Sequence, residues 1–202
     1  MNGEQILLST AYLPPVEYFS RILNSVSFLL EYNENYNRQT YRNRCRILGP
    51  QGILILSVPV TRRGRTKAPV RDVTIDYSKR WQQVHLRAIA SCYGRSPFYQ
   101  FYSDEFIRII AKEFRFLVDL NEVLLKKCLE ILRLDRSFHP SSSFIPPDGT
   151  SSNDYRYTIS PGNKPGVEQK PYIQVFDQGT FVPDLSIIDL IFTTGPDAGS
   201  FL

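Results

Sequence analysis

A chain of 202 residues with 42% apolar and 22% charged content is long enough for one domain that buries about 70% of its unfolded surface, which excludes a disordered tail. The net charge is only +4, yet residues 38–95 carry 13 of the 24 bases against two acids, Asp72 and Asp76, a local balance of +11 set against −7 in the remainder. A split of this kind points to an anionic partner: a phosphate-bearing ligand, an acidic sugar, nucleic acid or an anionic membrane surface.

Met1 to Gln5 lacks the basic region of a signal peptide and Ile6 to Leu8 is too short for its apolar core, so export is not expected. Gln5 to Ala11 reads as a short buried strand, stopped by Tyr12-Leu13-Pro14-Pro15, with the second proline fit for a first helical turn. Val16, Phe19, Ile22 and Leu23 then fall at helical spacing, and Val26 to Leu30 reads as a second strand. The opening is therefore a βαβ unit, which argues for a mixed or parallel sheet. Two β-suited runs, Asn43 to Leu48 and Ile53 to Val58, flank Gly49-Pro50-Gln51-Gly52 and predict a hairpin. The same turn explains the Gly-x-x-Gly spacing better than a phosphate cradle does.

Thr61 to Pro69 reads as a basic loop and Val73 to Ile75 as a short strand. Ser78 is expected to cap a helix carrying Trp81, Val84, Ala88, Ile89 and Cys92 on one face; Ser96-Pro97 is expected to start a short aromatic helix. Ser103 to Glu105 opens a longer helix with Phe106, Ile109, Ile110, Phe114 and Leu117 as its stripe, and Asn121 is expected to recap another through Ile131. Residues 137–170 turn to Ser, Pro, Gly and Asn and predict a long loop, of the kind that is often functional or mobile, within a single domain spanning 1–202. Tyr172 to Phe176 reads as a strand and Leu185 to Phe192 as a final helix. The predicted fold class is α/β: a mixed sheet with an N-terminal βαβ unit and a β-hairpin, a helical middle segment, and a C-terminal strand and helix.

No P-loop, GxGxxG, GxSxG or HExxH pattern is present, so the sequence names no cofactor. Cys45, Cys92 and Cys128 are odd in number and widely spaced, without a CxxC pair or His cluster; neither disulfides nor a metal site is expected, and reduced, cytoplasmic thiols in the core fit. The longest charge-free apolar run, near Ile53 to Val60, falls well short of the ~20 residues of a spanning helix, which leaves peripheral membrane contact at most.

Strand alternation would align Arg42, Arg44 and Arg46 on one face, where guanidiniums can fork onto phosphate or carboxylate. The competing reading is a row of salt bridges to Glu31 or Glu34. Arg38 and Asn43 supply further donors. His85, one turn after Trp81, is a candidate proton-moving residue, or else a satisfied core histidine. Ser186 to Asp189 matches a capping box better than a pair of working carboxylates.

Several segments taken together resemble the WbqC-like family: Tyr12-Leu13-Pro14 with Tyr18-Phe19; Arg42-Asn43-Arg44 ahead of the Gly turn; Ser57-Val58-Pro59-Val60; Trp81, His85, Ile89 and Tyr93; and Leu185 to Leu190. The resemblance implies a bacterial protein encoded among genes for surface polysaccharides such as O-antigen, with a group-transferring role of the kind suggested, with glycine, for some members. It implies Tyr12, Arg38, Asn43, Arg44, Trp81 and His85 as site residues, and Asp184 as a structural cap. Where many members carry a His-Gln-Pro-like start, this chain has Leu8-Ser9-Thr10-Ala11.

The expected function is transfer from an anionic activated donor, with His85 catalytic and Tyr12, Arg38, Arg42, Asn43, Arg44 and Trp81 holding the substrate. The alternative is a non-catalytic scaffold for glycan-assembly enzymes or an anionic surface. Nucleic acid is the weakest partner class, since no recognition helix or RNP-type motif accompanies the basic residues.

Overall fold

Local alternation sets the first unit. In the computed structural model, which describes residues 4–61, 67–147, 153–176 and 179–202, Gln5–Ser9 forms β1, Val16–Leu23 forms α1 and Ser27–Glu31 forms β2. The two strands pair in parallel from Gln5 beside Ser27 to Ser9 beside Glu31. Ile6 and Leu8 bury one side of β1, Phe28 and Leu30 one side of β2, and α1 buries Val16, Phe19 and Ile22. The βαβ unit thus stands as its sequence predicts.

A third parallel strand, Ser137–Pro140, adds beside β2, giving the order first strand, second strand, late strand. It arises inside the segment read as loop, because Phe138 stacks on Phe28 with ring centroids 5.0 Å apart. Farther along, Leu7 accepts from Tyr155 and donates to Asn153 through the backbone, so residues 153–155 run along the free side of β1.

The hairpin forms as expected from Arg44–Gly49 (β3) and Gly52–Ser57 (β4), closed at Gly49 opposite Gly52, where a φ of 108° suits only glycine. Val60–Thr61 (β5) and Thr74–Ile75 (β6) make a further antiparallel pair. The basic residues 62–66 of the loop between them lie outside the described residues.

The helical middle comprises Trp81–Tyr93 (α2), Tyr99–Ala111 (α3) and Leu117–Ile131 (α4). Three local expectations change here. Ser78 does not cap α2: its amide turns onto Asp76, and Arg80 precedes the helix. The two helices expected from Ser96 and Ser103 are one. Phe114 and Leu117 leave its stripe because Arg115 and Leu117 exchange backbone bonds with Ile75 and Val73, which pulls the chain out straight. Asn121 is no cap either; it lies inside α4, where its amide reaches Thr10 Oγ1 at 3.1 Å and the Arg42 carbonyl at 2.8 Å.

The last helix, Ile187–Thr194 (α5), is apolar on nearly every side and sits in the core against α1, α3 and β3. Phe192 meets the rings of Tyr93, Tyr99 and Phe106. The expected capping box is absent: Ser186 Oγ donates to the Leu13 carbonyl, while the buried Asp189 carboxylate accepts from the hydroxyls of Tyr93 and Tyr172. Tyr172 to Phe176 joins no ladder and ends in a turn at Val175 and Phe176, with the Tyr172 and Gln174 side chains directed to Asp189 and Val182. The result is a mixed α/β architecture with a parallel sheet and antiparallel hairpins. All three cysteines are buried and unpaired, and no helix among the described residues is long and apolar enough to cross a membrane.

Candidate functional site

The carboxyl ends of parallel strands are where α/β folds usually place ligands, and here Ser9, Glu31 and Ser141 occupy them. What gathers there is a closed network of charge. Arg42 Nε and Nη2 fork onto Glu34 at 2.9 and 2.7 Å, and Nη2 also donates to Ser9 Oγ at 2.7 Å. Arg156 donates to Asp154, Glu31 and the Ile145 carbonyl. Arg42, Glu34, Glu31 and Arg156 are all at most 3% exposed. Arg42 is thus engaged in a buried ion pair. It precedes β3 rather than lying on it, and its guanidinium is committed to Glu34, the salt-bridge alternative for this residue.

The chain leaves this network through Thr10 and Ala11 and enters an aromatic nest. Tyr12 is fully buried, with its hydroxyl 2.9 Å from His85 Nδ1. The Tyr12, Trp81 and His85 rings lie 5.0 to 6.5 Å apart. Burial lowers the His85 pKa to about 4, although the Ser57 backbone lies close enough to raise it against that effect. The imidazole is thus neutral and a weak base, with Nδ1 engaged by the Tyr12 hydroxyl.

Around Ser57 and Val58 the bonding is incomplete. Asn43 donates to the Val58 carbonyl at 2.8 Å, but its Oδ1 has no partner. Arg44, opposite Ser57 in the hairpin, has a buried Nε without an acceptor, and Trp81 has a buried Nε1 in the same condition. Buried N–H groups without acceptors are uncommon and cost roughly 1–3 kcal/mol each. The two donors and one acceptor thus lie on the hairpin, at Asn43 and Arg44, and on the helical turn that carries Trp81 and His85.

Arg46, the third of the arginine row, pairs with Asp184 at 3.1 Å, and Tyr41 donates to the same carboxylate at 2.5 Å. Burial pushes the Asp184 pKa up to about 6, against the pull of Tyr41 and Arg46. Asp184 also adopts a φ of 59°, and its second oxygen has no partner. The arginine row is therefore divided three ways: Arg42 to Glu34, Arg46 to Asp184, and Arg44 without a carboxylate partner among the described residues.

Arg38 is exposed, in a turn whose base is held by Tyr36 N–H donating to the Ala68 carbonyl. Lys67, also exposed, stands next to that bond. Tyr12, Asn43, Arg44, Trp81 and His85 thus come together, while Arg38 stays at the surface. Sequence reasoning misses Ser9, Glu31, Asn121 and Arg156. The contacts that gather them are remote in sequence, 33 residues from Ser9 to Arg42, 79 from Asn121 to Arg42 and 125 from Glu31 to Arg156, and the only local signal is the polar Ser9-Thr10 pair ending an apolar strand. Among the described residues no cluster suits a metal ion.

A model of the WbqC-like protein family matches residues 10–160, which includes the whole Tyr12 to His85 nest. The Leu185 to Leu190 segment of the resemblance lies beyond that span. Over 222 aligned residues the chain is 24% identical to Uncharacterized protein Rv1507c of Mycobacterium tuberculosis (strain ATCC 25618 / H37Rv), covering 97% of this chain and 96% of that protein. No solved structure matches.

Proposed function

The chain belongs to the WbqC-like protein family, and we propose that it binds an anionic, phosphate-activated donor in the cytoplasm and transfers a group from it during assembly of a bacterial surface polysaccharide such as O-antigen. The observation that carries this reading is the pair of buried donors without acceptors, Arg44 Nε and Trp81 Nε1, beside the unpaired Asn43 Oδ1. A phosphate oxygen accepts from both donors, and a hydroxyl or amine on the group in transfer satisfies Asn43. Charge supports it too: Arg38, Arg44, Lys67, Arg80 and Arg87 form no salt bridge among the described residues, so much of the positive excess is unspent. His85 acts as a positioning residue in this reading, fixing the Tyr12 hydroxyl.

The test is a thermal-shift screen against nucleotide sugars, nucleotides, acyl and aminoacyl phosphates and inorganic pyrophosphate. A ligand at 100 times its Kd stabilises the fold by about 2.7 kcal/mol. The expected result is a selective shift that Arg44→Gln abolishes and Lys126→Gln preserves. A shift that survives Arg44→Gln removes this site from the account.

A second reading rests on β4, where Ile53, Leu54 and Ile55 are exposed in succession on an outer strand. Such an edge invites pairing and suits a non-catalytic scaffold for glycan-assembly enzymes. Under this reading a donor that binds remains chemically intact during prolonged incubation with the protein.

A further inference from the structure

A cavity of about 680 Å3 opens where the end of α2 meets the Tyr172 to Phe176 segment. Its volume is in the range of small-molecule sites. The seven residues from His85 to Cys92 along α2 separate it from the Tyr12 nest by roughly 10 Å.

One wall is the segment predicted as a strand. Tyr172 and Gln174 direct their side-chain hydrogen bonds to Asp189 and Val182, and the cavity is lined by Ile173, Gln174 and Val175. Ile173 is 87% exposed, an unusual state for an isoleucine held between two anchored neighbours. Phe176, Pro50 and Pro97 extend the apolar surface. Most polar groups of the lining are already committed. Ser96 Oγ donates to the Tyr93 carbonyl, Thr193 Oγ1 to the Asp189 carbonyl, and the Gln174 amide exchanges bonds with Val182.

Arg95 and Ser91 remain. Arg95 is the one charged residue among the described residues of the lining, and it has no ion pair among them. For a ligand, the cavity therefore consists of an aliphatic and aromatic wall with a single guanidinium and one hydroxyl at its edge. We propose that this cavity is a second binding site, separate from the Arg44 site, for an apolar molecule bearing one anionic head, a carboxylate or a phosphate monoester. The wall takes the apolar body by excluding water, and Arg95 forks onto the head.

The experiment is a fluorescence titration of the full chain with the apolar anionic dye 1-anilinonaphthalene-8-sulfonate, followed by displacement with decanoate, decyl phosphate or decanol below their aggregation limits. Saturable dye binding is expected, with either decyl anion displacing it at least about tenfold more effectively than decanol, the size of one charge-assisted bond. The better of the two anions identifies the head. Arg95→Gln should remove the preference for anions and leave decanol unaffected, Ile173→Ser should weaken all three, and Arg44→Gln should change none. Thermal melts confirm that each variant is folded. Equal displacement by decanoate, decyl phosphate and decanol, unchanged anion affinity in Arg95→Gln, or absence of saturable dye binding overturns the proposal and leaves the Arg44 reading intact.

Discussion

Removing Glu34 leaves the Arg42 guanidinium charged, 3% exposed and held by Ser9 Oγ as its one remaining side-chain partner. Breaking a buried pair from one side typically costs 3–5 kcal/mol, because the surviving charge is uncompensated. The fork onto Glu34, with contacts of 2.9 and 2.7 Å, places this pair in that class. Glu34→Leu should therefore destabilise the fold by about 4 kcal/mol, which for a chain of this length lowers Tm by roughly 8–16 °C. Arg42→Met should cost a similar amount by stranding the Glu34 carboxylate. The double variant should recover most of the loss, since replacing a whole buried pair by apolar groups is often close to neutral. Ser9 keeps its bond to the Arg156 carbonyl in every variant. Urea unfolding followed by circular dichroism gives all four corners of the cycle. Single losses under about 1 kcal/mol, or a large drop in ligand affinity in a folded Arg42→Met protein, would refute the structural assignment of Arg42.

Two buried groups should nearly cancel in the acid range. The folded-state pKa of His85, about 4, lies below its ordinary 6.5, so its contribution is present above pH 6.5 and lost as pH falls toward 4. The Asp184 value of about 6 lies above its ordinary 3.8, so its contribution is present below 3.8 and lost as pH rises through 6. Between pH 4 and 6 the two oppose each other, and Asp184→Asn should make stability fall more steeply on acidification, by up to about 1.4 kcal/mol per pH unit. Urea midpoints across that window test this; parallel curves for wild type and variant contradict it. Gly195→Ala should cost about 2–4 kcal/mol, because φ is 58° and an added Cβ would lie 2.5 Å from the Phe98 ring. A change in Tm of less than 2 °C contradicts that contact.

The opening βαβ unit and the hairpin are legible in the sequence because their signals are local: alternating apolar residues, a proline at a helix start, and glycine where φ is positive. Asn121 and the Ser186 to Asp189 box mislead for the opposite reason. Each has the chemistry of a cap, but a long-range bond claims the side chain first, Asn121 to Thr10 and Asp189 to Tyr93. Tyr172 to Phe176 has β-suited residues and no partner strand, so propensity alone does not make it a strand. At the site, helical spacing brings Trp81 and His85 together, and the Tyr-Leu-Pro turn delivers Tyr12 to them. Nothing local separates Arg42 from Arg44, because Glu34, which decides between them, approaches through the turn at residues 35–41.

Trp81 is the only tryptophan in the chain, so its emission, excited beyond the tyrosine absorption band, reads the proposed anion site. The most direct test is a titration of the full chain with inorganic pyrophosphate and with a nucleoside diphosphate, following Trp81 emission at low ionic strength. A saturable change is expected, weakened about tenfold or more by Arg44→Gln and unaltered in Arg95→Gln. Emission that stays constant to millimolar ligand, or responds identically in Arg44→Gln, would contradict it.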